Sequence, residues 1–247
     1  MTAHEEARAT TSLVVYEPPA VLNVQQAERR YELPRTGAVF VRQAWGSGDT
    51  GAAQWPAGVE LAKLIDSEGP ERWRGKRVLE ISAGGGAVVA IALMRAGAVV
   101  VATDADAEAL KLHEENARAN VEPDVFASRY RGALVLRWGD DPAAAISALG
   151  GSPDAVVASD VAYPGTRDAW PAFARTLVAV GAGARILNGH ASRYEAVDRR
   201  FFRVLREGGV RAERAKDAHE ITVAREATRE KKCGGGVHLV HWCSSLQ

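Results

Sequence analysis

This sequence predicts an α/β fold: a mostly parallel sheet with helices wound on both faces. Three observations carry that expectation. Short β-branched runs alternate with longer helical patterns from Gly75 to Gly209. The runs are apolar throughout, as strands covered on both faces are. Glycines punctuate the joins, at Gly84-Gly85-Gly86, Gly97 and Gly208-Gly209. Parallel neighbours joined in this way take right-handed crossovers.

Taken in order, residues 1–12, "MTAHEEARATTS", are polar and expected to be disordered. Residues 13–54 read as a β extension. Within it "LVVYE" and "AVLNVQQ", separated by Pro18-Pro19, suggest a hairpin, and "AVFVRQAW" is a further extended run. Residues 55–247 read as one domain. It opens on a helix, "WPAGVELAKLIDSEG", with Pro56 in its first turn. Val59, Leu61, Ala62, Leu64 and Ile65 form its apolar face, and Gly69-Pro70 ends it.

The alternation then begins. "KRVLEIS" is a strand and "AVVAIALMRAG" a helix capped by Gly97. "AVVVATD" is a strand, and "DAEALKLHEENARAN" a helix with Ala109, Leu112 and Asn116 on one side. "GALVLRW" and "DAVVASD" are strands, followed by the helix "RDAWPAFARTLVAVG" despite its Pro171. "ARILNGH" is a strand and "SRYEAVDRRFFRVLREGG" a helix. In the tail, "VRAERAKD", "EITVARE" and "VHLVHW" all look extended, and "ATREKKCGGG" looks like a loop. Which two of those three runs pair at the sheet edge is open from sequence.

Composition narrows the function classes. The chain has 247 residues, enough for one sizeable core. Lys plus Arg is 31 and Asp plus Glu is 31, so the net charge is zero. That balance argues against a dedicated nucleic-acid or membrane-surface binder. The two cysteines, Cys233 and Cys243, lack zinc spacing and read as free thiols of a reducing compartment. The first residues lack the apolar core of a secretory signal, and the longest uncharged apolar run, Ala87–Met94, is too short to span a bilayer. A cytosolic or nuclear protein is expected, and a monomer. His113 and His190 lack metal-ligand spacing and are expected at the surface or in loops. His238 and His241 would point to opposite faces of a strand, so no metal site is expected.

The chemistry concentrates between Val78 and Asp106, "VLEISAGGGAVVAIALMRAGAVVVATDAD". One strand ends at Glu80 before a glycine elbow; the next ends at Asp104. Ligands of open parallel sheets sit at the carboxyl ends of the strands, and a glycine cluster there lets backbone N–H groups approach closely. A dinucleotide fingerprint would place a third glycine where Val89 stands, which weakens a pyrophosphate reading. An acid before the elbow also suits positive charge better than phosphate. Asp104 is placed to accept ribose hydroxyls. A ribose joined to a cationic, phosphate-free portion describes S-adenosylmethionine. The bland alternative makes both acids helix or turn caps.

From about Trp55 to Glu207 the chain resembles the seven-strand, Rossmann-like class I methyltransferases, and within them the family-16 protein-lysine methyltransferases. "VLEISAGGG" stands where that family has E-L-G-A-G-T-G. "TDAD" and "LHEENARAN" stand for its T-D and N-x-x-x-N helix, "RWGD" for its tryptophan–glycine, "ASDVAY" for its G-A-D-x-x-Y, and "ASRYE" with "RRFF" for its R-x-R-Y-E region. Ser82 replaces the first family glycine and Gly85 a common threonine.

The resemblance implies a seven-strand sheet and roles for particular residues. Ser82, Ala83 and Gly84 would pass under the methionine part of S-adenosylmethionine, with Glu80 nearby. Asp104 would hold the ribose, Trp138 would lie by the adenine, Trp55 would stand at the cofactor mouth and Ser159 would line the pocket. Asp160 and Tyr163 would face a protein lysine as catalytic residues. Other readings remain open at this point: Asp160 as a turn cap, Tyr163 or Trp138 as packing residues, methylation of arginine or of a small molecule, or a partner-binding member without turnover. A nicotinamide-dependent oxidoreductase is disfavoured by Val89 and Glu80.

Overall fold

The computed structural model describes residues 25–44, 50–192, 194–214, 221–222 and 236–244. Five parallel strands form the centre of the sheet: β3 (Arg77–Ile81), β4 (Val99–Asp104), β5 (Tyr130–Val135), β6 (Ala155–Ser159) and β7 (Arg185–Ala191). Their order across the sheet is β5-β4-β3-β6-β7. Winding therefore reverses between β3 and β6, and the crevice at their carboxyl ends is where such sheets bind ligands.

The tail resolves the pairing that sequence leaves open. β10 (Gly236–Ser244) runs antiparallel to β7, with Val237 opposite Ala191, and β8 (Val210–Arg214) pairs with its far edge. The two-residue β9 (Ile221–Thr222) also pairs with β10. "VHLVHW" is thus the inner strand, and the path across the sheet has seven strands, with β9 off it.

Helices cover both faces because alternate strand residues point opposite ways. Val78 and Val100 pack with α1 (Pro56–Trp73), α2 (Val88–Arg95) and α3 (Ala107–Asn120). Leu79 and Val101 pack with α5 (Ala143–Leu149), α6 (Trp170–Gly181) and α7 (Glu195–Glu207), around Trp170, Phe173 and Phe201. Helix α1 is interrupted at Gly69, whose φ of 62° lies outside the helical region, so the expected stop is real before one more turn follows from Pro70. Pro171 sits in the first turn of α6, where its missing N–H costs nothing. Gly189 in β7 admits α1 closely: a Cβ there would lie 2.5 Å from the Ala57 carbonyl oxygen.

Some expected elements lie outside the described residues, and others need correction. The hairpin expected from "LVVYE" and "AVLNVQQ" lies outside the described residues, as does the tail 1–12. The described hairpin pairs β1 (Glu28–Leu33) with β2 (Gly37–Arg42), in register from Glu28 opposite Arg42 to Leu33 opposite Gly37. "ERRYEL" has only two apolar residues, too few for a strand pattern. Its turn is pinned to α1 by Asp66, which accepts the Thr36 N–H at 3.3 Å and the Thr36 hydroxyl at 2.6 Å. Helices α4 (Pro123–Arg129) and α5, of seven residues each, were not expected, being too short to show a period. Nor are His113 and His190 surface residues: they are 0% and 2% exposed.

Candidate active site

A cavity of about 670 Å³ opens at the carboxyl ends of β3, β4 and β6, within the size range of small-molecule sites. Its floor is the elbow after β3. Ser82 leaves the strand with φ 56°, a left-handed conformation unusual for a side-chain-bearing residue. Gly84 follows with φ 58°, and a Cβ there would sit 3.0 Å from the Gly51 carbonyl oxygen. Ala83 N–H donates to the Thr103 carbonyl at 3.0 Å and Gly85 N–H to the Gly51 carbonyl at 2.7 Å. The floor is therefore tied to β4 on one side and to the residues preceding α1 on the other.

Asp104 ends β4 against this floor. Its Oδ2 accepts the Gly84 N–H at 2.9 Å and its Oδ1 the Asp106 N–H at 3.1 Å. A carboxylate offers about four lone-pair directions, so capacity remains toward the cavity. Asp106 caps α3, accepting the Glu108 N–H at 2.8 Å.

The walls come from three segments. Leu136–Trp138 follows β5, and the Trp138 indole packs on Phe173 with centroids 4.7 Å apart while its N–H donates to the Ser82 hydroxyl at 2.9 Å. Thr50, Gly51, Gln54 and Trp55 form the opposite wall, where the Trp55 indole N–H donates to the Thr50 carbonyl at 2.8 Å. Ser159 and Asp160 close the third side at the end of β6.

Asp160 repeats the geometry of Ser82. Its φ is 54°, again left-handed, and it is 9% exposed. Left-handed residues thus follow both adjacent central strands, β3 and β6, and both line the cavity. Such conformations cost about 1–2 kcal/mol and persist where surroundings enforce them. Here Asp160 N–H donates to the Gly189 carbonyl at 2.8 Å. The turn onward to Tyr163 is held by Thr166, whose hydroxyl donates to the Val161 carbonyl at 2.8 Å and accepts the Trp170 indole N–H at 3.0 Å. Tyr163 hydroxyl lies 3.3 Å from the Thr50 hydroxyl, joining two walls at the mouth.

Of the residues singled out from sequence, Trp55, Ser82, Ala83, Gly84 and Asp104 line the cavity, as do Trp138, Ser159, Asp160 and Tyr163. Glu80 does not. It is 4% exposed within β3, with Oε2 at 3.6 Å from His113 Nε2 on α3. An acid on β3 can face either layer, and alternation sends this one beneath the elbow toward α3. Burial, followed by the Glu114 and Glu80 carboxylates, pushes the Tyr130 phenol well above its usual range. Its hydroxyl lies 3.0 Å from His113 Nδ1, so the two ring nitrogens of His113 face Tyr130 and Glu80. Sequence reasoning missed Thr50, Gln54 and Thr166; the Thr-Gly pair ahead of Pro56 was the available signal.

The cavity fits S-adenosylmethionine on its own terms. A glycine floor that a side chain would obstruct, a tethered carboxylate one strand over, and an indole wall suit a nucleoside. Asp104 and Asp106 set against Arg137 suit a cationic remainder.

The comparisons agree. A Pyrococcus horikoshii crystal structure, provisionally named an RNA methyltransferase, superposes with TM-score 0.50 at 20% identity, covering 76% of this chain and 81% of that one. A family model described as lysine methyltransferase matches residues 37–208. Protein N-lysine methyltransferase METTL21A of Danio rerio is 30% identical over 202 residues, 79% of this chain and 86% of that protein. Calmodulin-lysine N-methyltransferase of Arabidopsis thaliana is 30% identical over 143 residues, 58% of this chain, and the match spans only 41% of that protein.

Fold and site together define an S-adenosylmethionine-dependent methyltransferase with a class I sheet. Within that class, the chain belongs to the lysine methyltransferase family.

Proposed function

We propose that this chain transfers a methyl group to the side-chain amine of a lysine in a partner protein. The observation that carries the reading is Asp160, held left-handed at the cavity wall beside the Tyr163 turn. S-adenosylmethionine, when bound, supplies a methyl carbon activated by its sulfonium. Asp104 holds the ribose, the Ser82–Gly84 backbone carries the methionine portion, and Trp138, Trp55 and Ser159 wall the site.

The acceptor must arrive neutral and in line. A lysine amine in water is mostly protonated, with a pKa of ~10.4. Partial burial against the cavity wall beside Tyr163 and Asp160 favours the uncharged form, the proton leaving to water before attack. Asp160 accepts one amine N–H and aims the nitrogen lone pair. A carboxylate alone would stabilise the ammonium, so its work is positioning rather than strong base catalysis.

The balanced charge of the chain supports a protein partner rather than nucleic acid or a membrane surface. Among the described residues no helix is long and apolar enough to cross a membrane. Its two cysteines support a cytosolic or nuclear setting, and we take the chain to act as a monomer. The test is transfer of tritium from labelled S-adenosylmethionine to proteins of a cytosolic extract, followed by amino-acid analysis. Methyllysine that disappears with Asp160→Ala is expected. Methylarginine, a labelled small molecule, or no transfer would overturn the lysine assignment.

A further inference from the structure

Asn116 lies on α3, 2% exposed, between the hairpin and the elbow. Its Oδ1 accepts the Arg42 N–H at 2.8 Å. Its Nδ2 donates to the Arg42 carbonyl at 2.9 Å and to the Gly85 carbonyl at 2.7 Å. Asn120, one turn later, makes the same pair of bonds to Phe40: its Oδ1 accepts the N–H at 2.8 Å and its Nδ2 donates to the carbonyl at 2.6 Å.

A carboxamide presents one N–H and one C=O much as a peptide group does. Four helical residues advance about 6 Å and two strand residues about 6.7 Å. Asparagines at i and i+4 therefore match alternate residues of a strand. Along the outer edge of β2 they stand in for a neighbouring strand and satisfy groups that an edge would leave open. Only Asn116 has a second N–H committed to the elbow.

Gly85 is gripped from both sides. Its N–H donates to the Gly51 carbonyl and its carbonyl accepts from Asn116. A Cβ on Gly85 would lie 2.8 Å from Leu112 Cδ2, so α3 also packs directly against it. Gly84, the next residue back, bonds Asp104 and lines the cavity.

We infer that Asn116 is a positioning residue for cofactor binding: it acts through Gly85, fixing the elbow against Asp104 and joining its position to the N-terminal hairpin. The inference rests on the reading of this elbow as the cofactor floor. Asn120 docks the same hairpin without touching the elbow and is the natural control.

The experiment uses the full chain with Asn116→Ala, Asn116→Asp and Asn120→Ala. Calorimetry with S-adenosylhomocysteine measures affinity, thermal melting measures stability, and hydrogen exchange without ligand measures the Gly84–Gly86 amides. Asn116→Asp keeps an acceptor for the Arg42 N–H and serves if the alanine variant does not fold. Expected are a similar loss of stability at both positions, a Kd raised about tenfold only by substitution of Asn116, and faster elbow exchange only there. Equal effects of Asn116→Ala and Asn120→Ala on affinity and elbow exchange would overturn the inference, as would an unchanged Kd with Asn116→Ala. If the wild-type chain bound no S-adenosylhomocysteine, the cofactor reading would fail, while exchange at the elbow would still decide whether Asn116 holds Gly85.

Discussion

The Trp138 indole N–H donates to the Ser82 hydroxyl at 2.9 Å, across the cavity floor from β3 to the loop after β5. Ser82 occupies a left-handed conformation that glycine would adopt freely. Its hydroxyl offsets that strain by fixing the indole, which also packs on Phe173. Serine in this elbow thus exchanges backbone ease for an oriented wall.

Ser82→Gly should leave stability within about 1 kcal/mol of wild type, because relief of the left-handed strain and loss of one hydrogen bond oppose each other at similar size. The Trp138 indole N–H resonance should move toward that of a free indole. Denaturant unfolding and a ¹⁵N-resolved spectrum, with Trp138→Phe for assignment, check both. A loss above 2 kcal/mol or an unmoved resonance would contradict the account.

Asp160→Ala should remove nearly all turnover while leaving cofactor affinity within about threefold, because the carboxylate serves the acceptor side of the cavity. Methyl-transfer assays and calorimetry on the same preparation separate the two effects. Equal loss of both would show that Asp160 shapes the cofactor floor instead.

His113→Ala should destabilise the fold by about 3 kcal/mol or more. It opens a hole under α3, strips the Tyr130 hydroxyl of its imidazole partner and leaves the buried Glu80 carboxylate without the imidazole it faces. Urea unfolding measures this. A change below 1 kcal/mol would mean that Glu80 is satisfied in some other way.

Much of this architecture was legible in the sequence. The five parallel strands announce themselves as apolar runs, because burial on both faces leaves no polar side to disguise them. The elbow and the acid ending β4 were legible because their spacing reflects one strand–helix–strand unit. Other features were not. Glu80 could be placed on its strand but not on the layer it faces, which depends on the phase of alternation against the sheet. The burial of His113 follows from its pairing with Glu80 and Tyr130, both distant in sequence. The hairpin strand β1 draws its definition from its ladder with β2 rather than its own pattern. Asn116 and Asn120 reach β2 across 74 and 80 positions, a separation over which no local periodicity informs.

The most direct test of the cavity as an S-adenosylmethionine site is calorimetric titration of the wild-type chain and Asp104→Ala with S-adenosylmethionine and S-adenosylhomocysteine. Micromolar binding of both ligands by the wild type and a loss of about a hundredfold or more in the variant are expected, since Asp104 serves both the ligand and the Gly84 N–H. Equal affinity in the two proteins, or no binding by the wild type, would contradict that assignment of the cavity.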